Sequence, residues 1–157
     1  MKYLLCINYE LIISITAIII AIIAMFFTYL SFRYQIISMI HSQLSEKAKE
    51  ANSYLNLKLE FPTNERHKIS LILASIITAR QILKFQLKKY CYLNIGKTEI
   101  QSFIHIFHLQ LNTEIRSFIG NLEEMDAPNP KDDLYKHHKE AYDFLKVSIK
   151  KYDKSSI

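Results

Sequence analysis

The chain has 157 residues and a formal net charge of +5; half of its residues are hydrophobic and 22% are charged. With two glycines and three prolines, it lacks the turn residues that a barrel or sandwich of short strands needs, so an all-α fold is predicted. The scarcity of glycine also excludes a phosphate-cradling loop, and the basic bias suits anionic lipid better than nucleic acid, which is not an expected partner.

A segment without charged residues lies close to the N-terminus. It covers residues 11–32, between Glu10 and Arg33, and reads LIISITAIIIAIIAMFFTYLSF. A helix of this length rises about 33 Å, against about 30 Å for the hydrocarbon core of a bilayer. The apolar run is too long for a secretory signal peptide, and no A-x-A-like cleavage site follows it. We therefore predict a retained transmembrane helix at 11–32, preceded by a short N-terminal segment at 1–10.

The charges on either side of this segment predict its orientation. Lys2 lies on the N-terminal side with Glu10 next to the membrane, whereas Arg33, Lys47 and Lys49 follow the segment. Positively charged residues accumulate on the cytoplasmic side of membrane helices. The sequence thus predicts a single-pass protein with its N-terminus outside and its C-terminal region in the cytoplasm.

Small side chains recur at regular intervals in the predicted membrane helix. Of its seven Ala, Ser and Thr residues, six keep a 3-4-3-4-3 spacing, and only Thr16 falls outside it. Polar residues extend the pattern in both directions, and we call the resulting strip the small-residue seam: Glu10, Ser14, Ala17, Ala21, Ala24, Thr28, Ser31, Gln35 and Ser38. Small residues let helices approach closely in lipid, so the seam predicts a homo-oligomer.

Two interpretations of the seam remain open from the sequence. In the first, the seam is a packing surface in a dimer or small oligomer, and its polar extension is the wet side of an amphipathic helix. In the second, several copies form a ring, and the seam lines a water-filled pore with Glu10 at one mouth.

The remainder, residues 33–157, is predicted to be a soluble up-and-down bundle of four helices. Apolar residues at three- and four-residue intervals place these helices at about 33–60, 65–93, 97–125 and 131–153. The first is a stalk continuing the membrane helix, and breaks are expected at Pro62, at Asn94–Gly96 and at Pro128–Pro130. The apolar stretch Ile69–Ala79 of the second helix lies between Lys68 and Arg80. It is too short to cross a bilayer, so a buried core helix is predicted.

Little in the sequence points to catalysis, and neither an enzyme nor a cofactor is predicted. His105 and His108 are the candidates for metal binding, because two histidines three residues apart on a helix are able to share an ion. No second helix carries the Glu-x-x-His pair that a carboxylate-bridged metal site needs. We therefore predict that the two histidines pack beside the apolar stripe and bind no metal. The Arg-x4-6-His motif of HEPN-type ribonucleases is absent.

The start of the chain, NYELIISITAIIIAIIAMFFTYLSFRYQI, continues without a break into a basic helical region. This layout resembles small bacterial single-pass membrane proteins of the phage abortive-infection or defence-effector type, and the membrane-anchored helical accessory proteins of RNA-targeting CRISPR systems. The resemblance implies a protein that assembles in the inner membrane and compromises it on infection. The alternative is a membrane-tethered adaptor or immunity-type protein whose cytoplasmic bundle binds a protein partner.

Overall fold

The computed structural model describes residues 2–56, 64–120 and 133–153. Five α-helices occupy these ranges, and one turn of 3-10 helix lies at Cys91–Leu93. The α-helices are α1 Lys2–Leu55, α2 Asn64–Lys89, α3 Lys97–Gln110, α4 Thr113–Gly120 and α5 Asp133–Asp153. No strand occurs in the described ranges, which confirms the all-α prediction for this part of the chain.

The chain divides into two compact units, Met1–Ser38 and Met39–Ile157. Helix α1 begins at Lys2 rather than after a separate segment at 1–10. It continues without a break through residues 32 and 33, as expected for a stalk that extends the apolar helix. The reason is local, because the first glycine or proline in the sequence is Pro62. The predicted end of the stalk at residue 60 lies outside the described residues.

The second unit is built around apolar stripes of helical period. In α1, Ile40, Leu44, Ala48 and Ala51 are each at most 1% exposed, as the spacing of this helix predicts. Helix α5 packs against α2, α3 and α4. The other core residues that are at most 3% exposed are Leu73, Ile76, Ala79, Leu83, Leu93, Phe103, Phe107, Leu111, Ile115, Ile119, Ala141 and Leu145.

Two helices are long and apolar enough to cross a membrane. In α1, from Tyr9 onward, no residue of the most apolar stretch of 18 residues is buried. In α2, from Glu65 onward, 39% of the most apolar stretch of the same length is buried. The buried share of α2 faces the core of the second unit. Arg80 of α2 also forms an ion pair with Glu140 of α5.

The turn between α2 and α3 follows the sequence prediction closely. After the 3-10 turn, Asn94 adopts the left-handed conformation with φ 48°, and its N–H donates to Cys91 O. Gly96 then precedes α3, and its N–H donates to the Glu99 carboxylate at 2.9 Å. The C-cap and turn predicted at Asn94–Gly96 are therefore confirmed.

The third predicted helix, 97–125, is wrong as a single element. Helix α3 ends at Gln110, Leu111 is extended with φ −70° and ψ 143°, and α4 begins at Thr113. Asn52 of α1 holds this break: its Nδ2 donates to Gln110 O at 2.9 Å, and its Oδ1 accepts from Asn112 N–H at 2.8 Å. We call these two bonds the Asn52 clasp. Residues 121–125 of the predicted helix lie outside the described residues.

The break also brings its own cap and its own core contact. Asn112 Oδ1 accepts from Glu114 N–H at 2.9 Å, which satisfies one of the free donors at the start of α4. Leu111 is 2% exposed, so the extended residue inserts its side chain into the core.

Replacing Asn52 by alanine should destabilise the second unit. Two backbone groups at the break lose their partner, at a cost of about 2 kcal/mol. We expect the unfolding midpoint of the full chain in detergent, followed by circular dichroism, to fall by about 5 °C. Asn56→Ala is the control, because Asn56 is exposed one turn further along. Equal midpoints for the two variants would show that the clasp does not stabilise the break.

Candidate functional site

The small-residue seam lies along one helix of the first unit. All nine of its residues, from Glu10 to Ser38, are in α1 and are exposed in the single chain. They extend over about 42 Å of helix rise. A seven-residue repeat drifts by about 20° per heptad on a straight α-helix, so helices that stay in contact along this seam must wrap around each other in a left-handed supercoil.

Large apolar side chains cover the rest of this helix on every side. From Leu11 to Phe32 they are between 38% and 65% exposed: Leu11, Ile12, Ile13, Ile15, Ile18, Ile19, Ile20, Ile22, Ile23, Met25, Phe26, Phe27, Tyr29 and Phe32. A helix that is apolar all round needs a surrounding that is apolar too. A lipid bilayer would supply such a surrounding without any other part of the chain.

The threonine hydroxyls of this helix find partners within it. Thr16 Oγ1 donates to Ile12 O, and Thr28 Oγ1 donates to Ala24 O, both at 2.8 Å. Such bonds remove the cost of an unsatisfied donor in lipid. The oxygen of Thr28, which belongs to the seam, keeps the capacity to accept a hydrogen bond from a neighbouring helix.

Tyrosines at both ends of the apolar run were missed by the sequence reasoning. Tyr9 is 68% exposed before the run, Tyr29 is 43% exposed near its end, and Tyr34 is 69% exposed beyond it. Tyr9 and Tyr29 are separated by about 30 Å of helix rise. Tyrosine is enriched at membrane–water interfaces, and its position at each end of a charge-free run was the signal available in the sequence.

The two candidate metal ligands lie on α3. His108 is 4% exposed, and burial lowers its pKa to about 4, with smaller contributions from the charges of Arg116 and His105. In the described ranges, no group of three or more His, Cys, Asp or Glu is placed to hold a metal ion. His108 is thus a neutral, packed side chain at physiological pH.

Two further histidines also face the core. His138 of α5 is fully buried; its ring stacks on Phe118 at a centroid distance of 4.6 Å, and its Nε2 lies 3.1 Å from Phe118 O. Burial lowers the pKa of His138, although hydrogen bonds to backbone carbonyls oppose the shift. The ring of His41 meets Phe103 edge-on at 4.6 Å, and burial lowers its pKa as well. These histidines pack helices together.

A carboxylate on α1 accepts hydrogen bonds from three side chains. Glu50 accepts from Lys47 Nζ at 2.5 Å, from Tyr54 OH at 3.1 Å and from the hydroxyl of Ser75 on α2. These bonds, led by that of Lys47, hold the pKa of Glu50 below its usual value. Ser75 is 3% exposed, so its bond to Glu50 satisfies a buried hydroxyl and joins the two helices.

A groove of about 440 Å³ lies beside this network, between α1 and α2. Most of its lining residues are polar in type, but the surface that they expose to the groove is mainly apolar. Gln86 Nε2 donates to Gln43 Oε1 across it at 3.0 Å. The lining residues are Gln43, Glu46, Lys47, Thr78, Gln81, Ile82, Phe85 and Gln86. Sequence spacing did not indicate this groove, because it depends on how the two helices pair.

Comparison of the chain with protein-family models, with curated proteins and with solved structures finds no match in any of the three. We therefore infer function from the geometry and chemistry of the chain itself.

The stability of the second unit should fall on acidification. The pKa of His108 is about 4 in the fold against 6.5 in an unfolded chain, so below pH 6.5 the unfolded chain takes up the proton first. Its contribution to stability is complete above pH 6.5 and decreases down to pH 4, by about 2 kcal/mol between pH 7 and pH 5. Thermal unfolding of the full chain in detergent at both pH values measures the loss.

The variant His108→Leu should unfold at midpoints that depend less on pH than those of the wild type. His137→Leu is the matched control, since His137 is the exposed neighbour of the buried His138. A pH dependence that survives in His108→Leu at its full size would exclude His108 as the cause.

Proposed function

We propose that this chain is a single-pass membrane protein that self-associates through the small-residue seam and perturbs the inner membrane, as an effector of antiviral defence. The observation that carries the proposal is the seam itself, a regular strip of small and polar residues on a helix whose every other side is apolar and exposed. In this proposal, residues 33–157 form a cytoplasmic up-and-down bundle that controls assembly.

The choice of one span over two is supported by the surroundings of α2. Leu73, Ile76 and Ala79 are fully buried in the second unit, and Ser75 and Arg80 bind carboxylates on other helices. Insertion of α2 into lipid would strip it of these contacts and would leave its charged residues without water. The corresponding part of α1 has no such contacts to lose.

The orientation is supported by the charges that flank the span. Arg33 follows it directly, and Lys47 and Lys49 come within the next seventeen positions, against Lys2 before it. With the C-terminal region in the cytoplasm, Glu10 lies at the outer surface. There a carboxylate stays hydrated at little cost, in contrast to the bilayer centre.

Self-association by itself does not damage a membrane. Damage requires that the associated helices also let water or ions through the bilayer. Within residues 11–32 the seam carries hydroxyls at Ser14, Thr28 and Ser31 among its alanines. In a ring of several copies these groups would face a shared axis and hold water, whereas in a dimer they would hydrogen-bond across the interface. Both arrangements use the same surface of α1, and both place Glu10 at the same end.

Disulfide crosslinking tests the seam directly. In a background with Cys6 and Cys91 changed to serine, cysteines at Ala17 and Ala21 should form disulfides between chains in membranes. Ile19→Cys, on the opposite side of the helix, should not. The readout is the dimer fraction on a non-reducing gel. The seam is excluded as an interface if the Ile19 variant crosslinks as well as the other two.

Overexpression with a membrane-potential dye tests the effect on the bilayer. The wild type should depolarise cells and slow their growth, and the double variant Ala17→Leu/Ala21→Leu should lose both effects. Leucine in the seam keeps the helices apart and should weaken their association about tenfold. Thr16→Leu is the matched control, because Thr16 is the one small residue of the span outside the seam. An unchanged membrane potential on wild-type expression would contradict the effector proposal.

A membrane-tethered adaptor is the second candidate, favoured by the groove between α1 and α2. Its mainly apolar surface, which includes the exposed Phe85, is flanked by polar groups of Glu46, Lys47 and Gln81, and this combination suits an extended peptide segment of a protein partner. An exchange of residues 11–32 for a poly-leucine membrane helix keeps the anchor and removes the seam. The adaptor would retain its effect on growth after this exchange, whereas the effector would lose it.

A further inference from the structure

One stretch of the second unit carries positive charges without any negative ones. From Arg66 to Thr98 the sequence contains seven Lys and Arg residues and no Asp or Glu. Lys68 and Arg80 are engaged, the first with Leu55 O and the second with Glu140. The lysines at the C-terminal end of α2 and the start of α3 differ from these. Lys84, Lys88, Lys89 and Lys97 are exposed, and the ion pairs among the described residues include none of them.

Exposed aromatic rings accompany these lysines. Phe85 is 62% exposed and Tyr92 is 61% exposed, and Tyr90 lies between them in sequence with its ring 6.2 Å from that of Tyr92. The Lys89 ammonium lies 5.1 Å from the centroid of the Tyr90 ring. Lys84 and Lys88, like Phe85 and Lys89, are four residues apart on α2 and so share a face. We call Lys84, Phe85, Lys88, Lys89, Tyr92 and Lys97 the basic-aromatic tip.

A buried side chain and a closed turn fix the backbone at the tip. Leu93 is 1% exposed, directly after the exposed Tyr92, and Asn94 closes the 3-10 turn in the left-handed conformation. The two tyrosines are therefore presented on a short, fixed turn and not on a long loop.

Contacts within the second unit show at which end of it the tip lies. Three hydrogen bonds join α2 to α1: Gln86 donates to Gln43, Ser75 donates to Glu50, and Lys68 donates to Leu55 O. Positions descend along α2 as they ascend along α1, so the two helices run antiparallel. The tip thus lies at the end of the unit where the chain enters it at Met39.

That end of the unit is also the one closest in sequence to the proposed span. Phe32, the last residue of the span, precedes Met39 by seven positions, and seven residues extend over at most about 25 Å.

We propose that the basic-aromatic tip binds the headgroups of anionic phospholipids at the surface of the membrane that α1 spans. This rests on the span in the proposed function and adds a second attachment to the same bilayer. The lysine ammonium groups would meet lipid phosphates, and the rings of Phe85 and Tyr92 would enter the interfacial layer, where aromatic side chains are favoured.

Lipid fits the tip better than nucleic acid does. The tip contains no arginine, the residue that recognises phosphates and bases through two parallel hydrogen bonds. Lysine acts as a hydrated point charge, and a lipid surface needs no more than this. Charge complementarity and the short link to Phe32 both favour a membrane surface as the occupant.

The absence of tryptophan allows a direct test in the full chain. We would place a single tryptophan at the tip, Tyr92→Trp, or at the opposite end of the unit, Leu109→Trp. Leu109 is 43% exposed and adjoins Gln110, which meets Asn52 near the end of α1. Each protein is incorporated into nanodiscs of phosphatidylcholine, alone or with one third phosphatidylglycerol, containing a nitroxide-labelled headgroup lipid.

We expect quenching in the Tyr92→Trp protein to be at least about twofold stronger in the anionic nanodiscs, and to weaken at high salt. Quenching in the Leu109→Trp protein should not depend on lipid charge. Adding Lys84→Gln, Lys88→Gln and Lys89→Gln should abolish the difference between the two lipids. Adding Lys136→Gln, Lys139→Gln and Lys146→Gln, which removes the same charge from exposed positions on α5, should preserve it.

Equal quenching of Tyr92→Trp in both lipids, in protein that has entered the nanodiscs, overturns the tip proposal and leaves the span intact. Protein that fails to enter nanodiscs overturns the span on which the proposal rests. A tip fluorescence that responds to an RNA oligonucleotide and not to phosphatidylglycerol overturns it in favour of nucleic acid.

Discussion

Most side chains of residues 11–32 are apolar and exposed in the single chain, and the organisation that we propose follows from this constraint. Each large apolar side chain gains about 1.5–3 kcal/mol by leaving water, and more than a dozen of them are exposed here in one continuous sleeve. A helix satisfies its own backbone hydrogen bonds, so lipid is able to surround it without further cost. Small residues matter for the proposed self-association because a second helix would approach most closely at these positions.

The surface of the second unit, in contrast, is charged and polar and requires water around it. Its helices are joined by polar links as well as by apolar packing: Glu50 binds Ser75, Gln43 binds Gln86, and Arg80 binds Glu140. Its exposed lysines and glutamates are hydrated, and none of them could be placed in hydrocarbon cheaply. In the proposed topology α1 passes from lipid into water, and no break in its secondary structure accompanies that change. The helix continues through residues 32 and 33 because no glycine or proline precedes Pro62.

Features controlled by nearby residues were predictable from the sequence, and those controlled by distant residues were not. The stripe from Ile40 to Ala51 follows from spacing, and the turn at Asn94 follows from residue type. The break at Leu111 has no glycine or proline to signal it, and its stabilising partner, Asn52, lies about sixty positions earlier. The clustering of Lys84 to Lys97 is a feature of the sequence, but whether a carboxylate of another helix pairs with these lysines depends on which helices pack together. The seam was visible at once because a single helix determines it.

The Asn52 clasp limits which sequences are compatible with this fold. Both of its bonds go to backbone atoms, the carbonyl of residue 110 and the N–H of residue 112. The side chain at 110 is therefore under no constraint from the clasp, whereas that at 112 is confined to the residues that cap a helix, because it holds the N–H of Glu114. Position 52 must offer a donor and an acceptor on one short side chain, and asparagine meets that need where aspartate does not. A diverged homologue that retains the break should vary freely at 110 and keep asparagine at 52.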